Sequence, residues 1–174
     1  MLIALAVLII ALGIVLAIAA GRPDRFRIER ATTIGAPPES IFPLIADFHR
    51  WRTWSPYEDR DPAMQRTYNG APNGPGAIYA WDGNKQIGSG RMEITEATPS
   101  TRIAIKLEFF KPFKANNTAE FSFEPTTTGT RVTWAMHGTS PFMSKLMGLV
   151  FDMDKLVGKD FEVGLQKLKV LAEG

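Results

Sequence analysis

Ile103-Ala104-Ile105-Lys106-Leu107-Glu108-Phe109 sends Ile103, Ile105, Leu107 and Phe109 to one side of an extended chain and Ala104, Lys106 and Glu108 to the other. A period of two is the signature of a β-strand with one buried and one wet face. The pattern recurs towards the C-terminus. Phe121 and Phe123 alternate with Glu120, Ser122 and Glu124, and after a turn at Thr128-Gly129, Val132, Trp134 and Met136 oppose Arg131, Thr133 and His137. Towards the N-terminus, residues 86–97 place Gly90, Met92 and Ile94 opposite Arg91, Glu93 and Thr95, and Pro99-Ser100 turns the chain. Residues 64–68 and 77–81 read as further strands, with a loop at 71–76 and a hairpin turn at Asp82-Gly83-Asn84. Successive half-buried strands of this kind predict an antiparallel sheet.

The flanks supply its cover. Phe26 and Ile28 alternate with Arg27 and Glu29, opening a first strand that runs towards Ile34. Ala36-Pro37-Pro38-Glu39 reads as a helix start, followed by an apolar stripe of Ile41, Phe42, Ile45 and Phe48 that Pro43 bends or breaks. Trp51-Arg52-Thr53-Trp54-Ser55-Pro56 reads as a short second helix or a turn. At the other end, Val157, Phe161, Leu165, Leu168 and Leu171 form the stripe of a long amphipathic helix, with Asp160, Glu162, Lys167 and Lys169 away from it. A sheet with one apolar face must bury it, and this last helix is the obvious partner. The expected class is α+β.

Before the first strand, Leu2 to Ala20 is uncharged and apolar at every position except Gly13. A helix of that length rises about 28 Å, against roughly 30 Å of bilayer hydrocarbon. The reading is an anchor over 1–21 and one domain over 22–174. The alternative is a cleaved signal peptide, with Ala17-Ile18-Ala19 as the small-x-small site and a secreted or periplasmic product. Against cleavage stand the missing basic n-region and a run longer than the usual apolar core of a signal peptide. Arg22, Arg25, Arg27 and Arg30 follow the run, so the positive-inside tendency places the C-terminal domain on the cytoplasmic face of a single-pass protein.

Composition removes several functions. The net charge of +2 is too small for a nucleic-acid binder. With no cysteine there is no disulfide, thiolate nucleophile or thiolate-bound metal. Two histidines leave little for a metal site, so neither a metal nor a cofactor is expected. The acidic run Glu58-Asp59-Arg60-Asp61 lacks the glycine and distal glutamate of a calcium loop and reads as a solvated loop.

The order strand, helix pair, about six strands and long helix resembles the helix-grip fold of the START and Bet v 1 (SRPBCC) superfamily, and more narrowly its polyketide cyclase/dehydrase-like group with a membrane anchor. The resemblance rests on Ala36-Pro37-Pro38-Glu39 with Ile41-Phe42, then Asp47, Trp51 and Trp54-Ser55-Pro56. It continues through Gly74, Gly76, Tyr79-x-Trp81-x-Gly83-Asn84, Gly88-x-Gly90-x-Met92-x-Ile94 and Gly129-Thr130-x-Val132-x-Trp134. It implies an antiparallel sheet curled around the C-terminal helix, with a hydrophobic ligand between them. Carried over residue by residue, it puts Tyr79, Trp81, Met92, Phe109, Phe121, Trp134 and Met136 near the cavity, with Phe161 and Leu165 closing it from the helix. Solid packing of the same residues is the plainer alternative. An indole buried there needs a partner for its N–H, which favours a polar spot in the interior.

Three functions follow. The first is a membrane-tethered binding module for a hydrophobic small molecule or lipid, held by Leu2–Ala20 and without assigned catalysis. The second is a polyketide cyclase/dehydrase-like enzyme on a polycyclic substrate, for which Asp47, His49 and His137 are the weak acid–base candidates. The third is a ligand-free regulatory protein that meets a protein partner through Phe142-Met143-Ser144-Lys145-Leu146-Met147-Gly148-Leu149-Val150-Phe151. That segment carries more large apolar side chains than one buried stripe needs, and it is equally suited to a lid or to contact with a bilayer.

Overall fold

The computed structural model describes residues 2–174. Helix α1 (Leu2–Ala20) leads into β1 (Arg25–Ile34), α2 (Pro38–Ala46), a 3-10 turn (Phe48–Thr53) and α3 (Pro56–Arg60). Then come β2 (Gln65–Gly70), β3 (Ala77–Asp82), β4 (Ser89–Thr98), β5 (Arg102–Lys111), β6 (Ala115–Thr126) and β7 (Gly129–Thr139). The chain ends with α4 (Phe142–Met147) and α5 (Met153–Glu173). Among the described residues, strands β1 to β7 form one antiparallel sheet in the order β1-β7-β6-β5-β4-β3-β2. Consecutive strands from β2 to β7 are neighbours, and β1 returns to close the far edge on β7.

The alternation read in the sequence sets the faces. Ile103, Ile105, Leu107, Ala119, Phe121, Phe123, Val132 and Trp134 are buried. Their outward neighbours form a ladder of ion pairs, Arg91 to Glu108 at 2.9 Å and Arg102 to Glu120 at 2.7 Å, each worth a few tenths of a kcal/mol in water. Helices α2, α3 and α5 cover the apolar face, with Phe161, Leu165 and Leu168 of α5 fully buried. Arg30 of β1 clamps α5 from the side, reaching Asp154 at 2.9 Å and Glu162 at 2.8 Å. Gly158 makes room for that guanidinium, because a side chain there would occupy its place.

Several boundaries differ from expectation, each for a local reason. The β3–β4 hairpin opens wider than Asp82-Gly83-Asn84: Asp82 pairs with Ser89, and residues 83–88 form the loop. The Asn84 N–H is held by Asp61 at 2.7 Å, and the Trp81 indole donates to the Ile87 carbonyl at 3.2 Å, so 86–88 fold over instead of extending. Pro43 lies inside α2 without ending it. Residues 48–53 are helical because Asp47 caps them, its carboxylate accepting from the His49 N–H at 2.9 Å. Three expectations are corrected. Glu58 is not solvated but buried, in α3. Asp160 does not lie away from the packing, since it turns inwards to Arg60, whereas Leu171 is exposed.

On the buried face of α5 the place of a side chain is taken by Gly164. A Cβ there would sit 2.7 Å from Trp134 and 3.0 Å from Pro56. Gly164→Ala therefore overpacks a site with rigid neighbours and should cost about 1–3 kcal/mol in a denaturation experiment, although alanine is the better helix former.

Helix α1 is long and apolar enough to span a membrane. Its residues 3–18 are exposed and Ala19 is the first to be buried. At its base, Arg22 donates to the Gly148 carbonyl at 2.7 Å, and α1 also touches α4. The segment after β7 is thus tied to the foot of α1.

Candidate functional site

The two ends of the sheet's apolar face are built differently. At one end the space under α5 is full. Trp134 stacks on Phe161 with ring centres 4.1 Å apart and on Phe121 at 5.0 Å. Trp51 and Trp54 pack edge-on against Phe121 and Trp134, and Leu165 is buried in the same core. The Trp51 and Trp54 indoles donate to the Ile45 and Leu44 carbonyls, both at 2.9 Å. Trp134 Nε1 is buried and, among the described residues, has no acceptor.

At the other end, next to the foot of α1, a cavity of about 970 Å³ opens between the start of β1, the β5–β6 hairpin and the chain from α4 to the start of α5. Its apolar walls include Phe26, Ile28, Phe109, Phe113, Met136 and Val157. The volume is at the upper end of the 300–1,000 Å³ usual for small-molecule sites. This space exists because α4 stops at Met147 and α5 does not begin until Met153. Asp152 fixes that restart by capping α5 through the Lys155 N–H at 3.1 Å.

The nine ligand candidates divide between these regions. Phe109 and Met136 line the large cavity. Phe121, Trp134, Phe161 and Leu165 belong to the filled end. Met92 is a buried core residue on β4. Trp81 is half-buried, edge-on to Phe109 at 5.9 Å. Tyr79 stacks between Tyr68 and Trp81, and its hydroxyl donates to Glu58 at 2.7 Å. Burial, and then the Glu58 carboxylate, push the Tyr79 phenol far above its ordinary pKa. It stays protonated and committed to that bond.

None of the three acid–base candidates lines the large cavity. Asp47 serves the cap already described. His49 is exposed, hydrogen-bonded to Asp47 at 3.0 Å and stacked on Tyr68 at 4.1 Å. It borders a separate hollow of about 170 Å³ with Phe48 and Tyr68. His137 is half-buried on the outward side of β7. Among the described residues, no cluster of three or more His, Asp or Glu side chains is placed to hold a metal ion.

The residues that sequence reasoning missed are mostly polar. Lys145 is 8% exposed, lines the large cavity and donates to Asp24. Its ammonium, through that hydrogen bond, holds the Asp24 carboxyl below the usual range. Arg25, Lys114, Asn116 and Asn117 share the wall. A lysine within an apolar helix carries no periodic signal of burial. Only the turn at 148–152 and the β5–β6 hairpin bring these residues together.

A single antiparallel sheet closed by a long C-terminal helix, with an open cavity where that helix begins, defines a helix-grip protein. The chain belongs to the family described as polyketide cyclase / dehydrase and lipid transport, which matches residues 25–173. Solved structures share the fold. A Thermobifida fusca protein aligns with a TM-score of 0.63 and 21% identity over 84% of this chain and 92% of its own. A Chromobacterium violaceum protein gives 0.61 and 14% over 88% and 99%. The di-domain ARO/CYC StfQ from the steffimycin biosynthetic pathway gives 0.62 and 14% over 86% of this chain and 51% of its own. No curated protein sequence matches the chain.

Proposed function

We propose that this chain is a membrane-tethered binding module that takes a hydrophobic small molecule or lipid from the bilayer, with α1 as an uncleaved anchor over 1–21 and the domain of 22–174 on the cytoplasmic face. The observation that carries this reading is the position of the large cavity: Arg22 and Pro23, at the foot of α1, are part of its wall. A membrane-soluble ligand would then travel only a short distance. The family's lipid-transport description and the apolar lining support the same reading. The site residues we assign are Phe109 and Met136, with Phe26, Phe113 and Val157 beside them.

Native mass spectrometry of the full chain released from membranes tests it. The expected result is a bound apolar or amphiphilic species that is reduced by Met136→Asp, which places a carboxylate in the wall. No bound species, together with no thermal shift from any apolar compound, would sink the proposal. Orientation has its own test, made simple by the absence of cysteine. A single Lys85→Cys substitution in the exposed β3–β4 loop should react with an impermeant maleimide only after the membrane is opened. Labelling of intact cells would reverse the assigned side.

A further inference from the structure

The cavity is apolar in its walls but strongly cationic in its charged groups. Arg22, Arg25, Arg27, Lys114 and Lys145 line it, against only Asp152 and Asp154. Both carboxylates are already engaged: Asp154 with Arg30, and Asp152 with the α5 N-terminus and Lys155. Arg27 pairs with Glu29 at 2.7 Å. Among the described residues neither Arg25 nor Lys114 has a carboxylate partner within ion-pair distance.

Lys145 is the sharpest of these groups. Attraction to lipid headgroups would account for exposed arginines near the anchor. It does not account for an ammonium that is 8% exposed inside the domain. Burying such a charge is expensive unless it is paired and its donors are satisfied. Three N–H donors are present, and among the described residues only Asp24 accepts from them. Asp24 is itself almost wholly exposed, so water screens the pair. An anion entering the cavity would meet an under-satisfied ammonium with Arg25 and Lys114 on the same wall.

We propose that the ligand is an anionic amphiphile, its carboxylate or phosphate held by Lys145, Arg25 and Lys114 and its apolar body against Phe109, Met136 and Val157. This rests on the binding reading above and adds the headgroup to it. A neutral ligand of the same shape would leave the cations as they are. An anionic one gains charge-assisted hydrogen bonds in a partly desolvated site.

The test uses the full chain in phosphatidylcholine nanodiscs, loaded with equal amounts of oleate, lysophosphatidate or oleyl alcohol, and read by native mass spectrometry. Occupancy by one or both anions should exceed that of the alcohol by about tenfold, the larger value identifying carboxylate or phosphate as the preferred head. Lys145→Gln should abolish most of that preference. Because the Lys145 substitution touches a buried group, Arg25→Gln with Lys114→Gln supplies a surface variant with the same expected direction. Equal occupancy by all three compounds would overturn the headgroup assignment and leave the binding reading standing. Occupancy by none would overturn both.

Discussion

Trp134→Ala lowers the stability of the chain by about 3 kcal/mol, the low end of the range for removing a buried large aromatic. The ring sits where four elements meet: it stacks on Phe161 of α5 and Phe121 of β6, and lies edge-on to Trp54 and to Tyr57 of α3. Its removal leaves a hole that Gly164, directly above, has no side chain to fill. The low end is expected because the indole also carries a burden. Trp134 Nε1 is a buried donor without an acceptor among the described residues, and its deletion returns about 1 kcal/mol or more of desolvation cost. Trp134→Phe separates these terms, since it keeps a ring in the stack and deletes the stranded N–H. It should change stability by under about 1.5 kcal/mol in either direction. Urea denaturation of the detergent-solubilised full chain measures both variants. A loss for Trp134→Phe as large as for Trp134→Ala would mean that the N–H is satisfied after all.

The sheet was legible because its chemistry repeats. Alternation in β5, β6 and β7 survives every local accident, since a slip of one residue would turn Phe121 and Trp134 to water. Helix α5 was legible for the same reason, apart from its ends. The β3–β4 loop was not, because its shape depends on Asp61, a residue more than twenty positions away that grips the Asn84 N–H. The candidate site was legible in kind and not in place. Inward parity marks Phe109, Met136, Phe121 and Trp134 alike, but parity does not say which stretch of an inner face is covered. That is decided by where α5 begins. From Phe161 onwards the helix lies on the sheet and fills the space, whereas before Met153 the chain swings away towards the foot of α1 and leaves it open. Glu58 failed for a different reason. A run of three acids and an arginine looks solvated, and the arginine that neutralises Glu58 is not its neighbour Arg60 but Arg66, on β2.

That buried pair makes the second large prediction. Glu58→Ala costs about 3–5 kcal/mol, the usual price of stranding one partner of a buried ion pair. The Glu58 and Arg66 side chains are 6% and 12% exposed, joined at 2.7 Å, and the other carboxylate oxygen accepts the Tyr79 hydroxyl at 2.7 Å. Without Glu58 the guanidinium retains the Met64 carbonyl at 2.8 Å but no anion, and the phenol loses its acceptor. Since Glu58 ties α3 to Arg66 of β2 and Tyr79 of β3, the first consequence is loosening of that edge of the sheet. Glu58→Gln keeps an oxygen for Tyr79 and loses only the charge, so it should cost less. A double-mutant cycle with Arg66→Met isolates the ion pair from the hydrogen bond. The pH dependence has a definite sign as well. The folded state holds Tyr79 protonated far above the ordinary tyrosine value of about 10, so the contribution of its proton is full below that pH. Above it the unfolded chain ionises first and stability falls. Tyr79→Phe should flatten that alkaline decline, and Glu58→Ala should make it shallower and end it at a lower pH without moving its onset, because the carboxylate is among the groups that hold the folded phenol neutral. A decline unchanged in both variants would assign it instead to Tyr57 and Tyr68, whose phenols burial also pushes upwards.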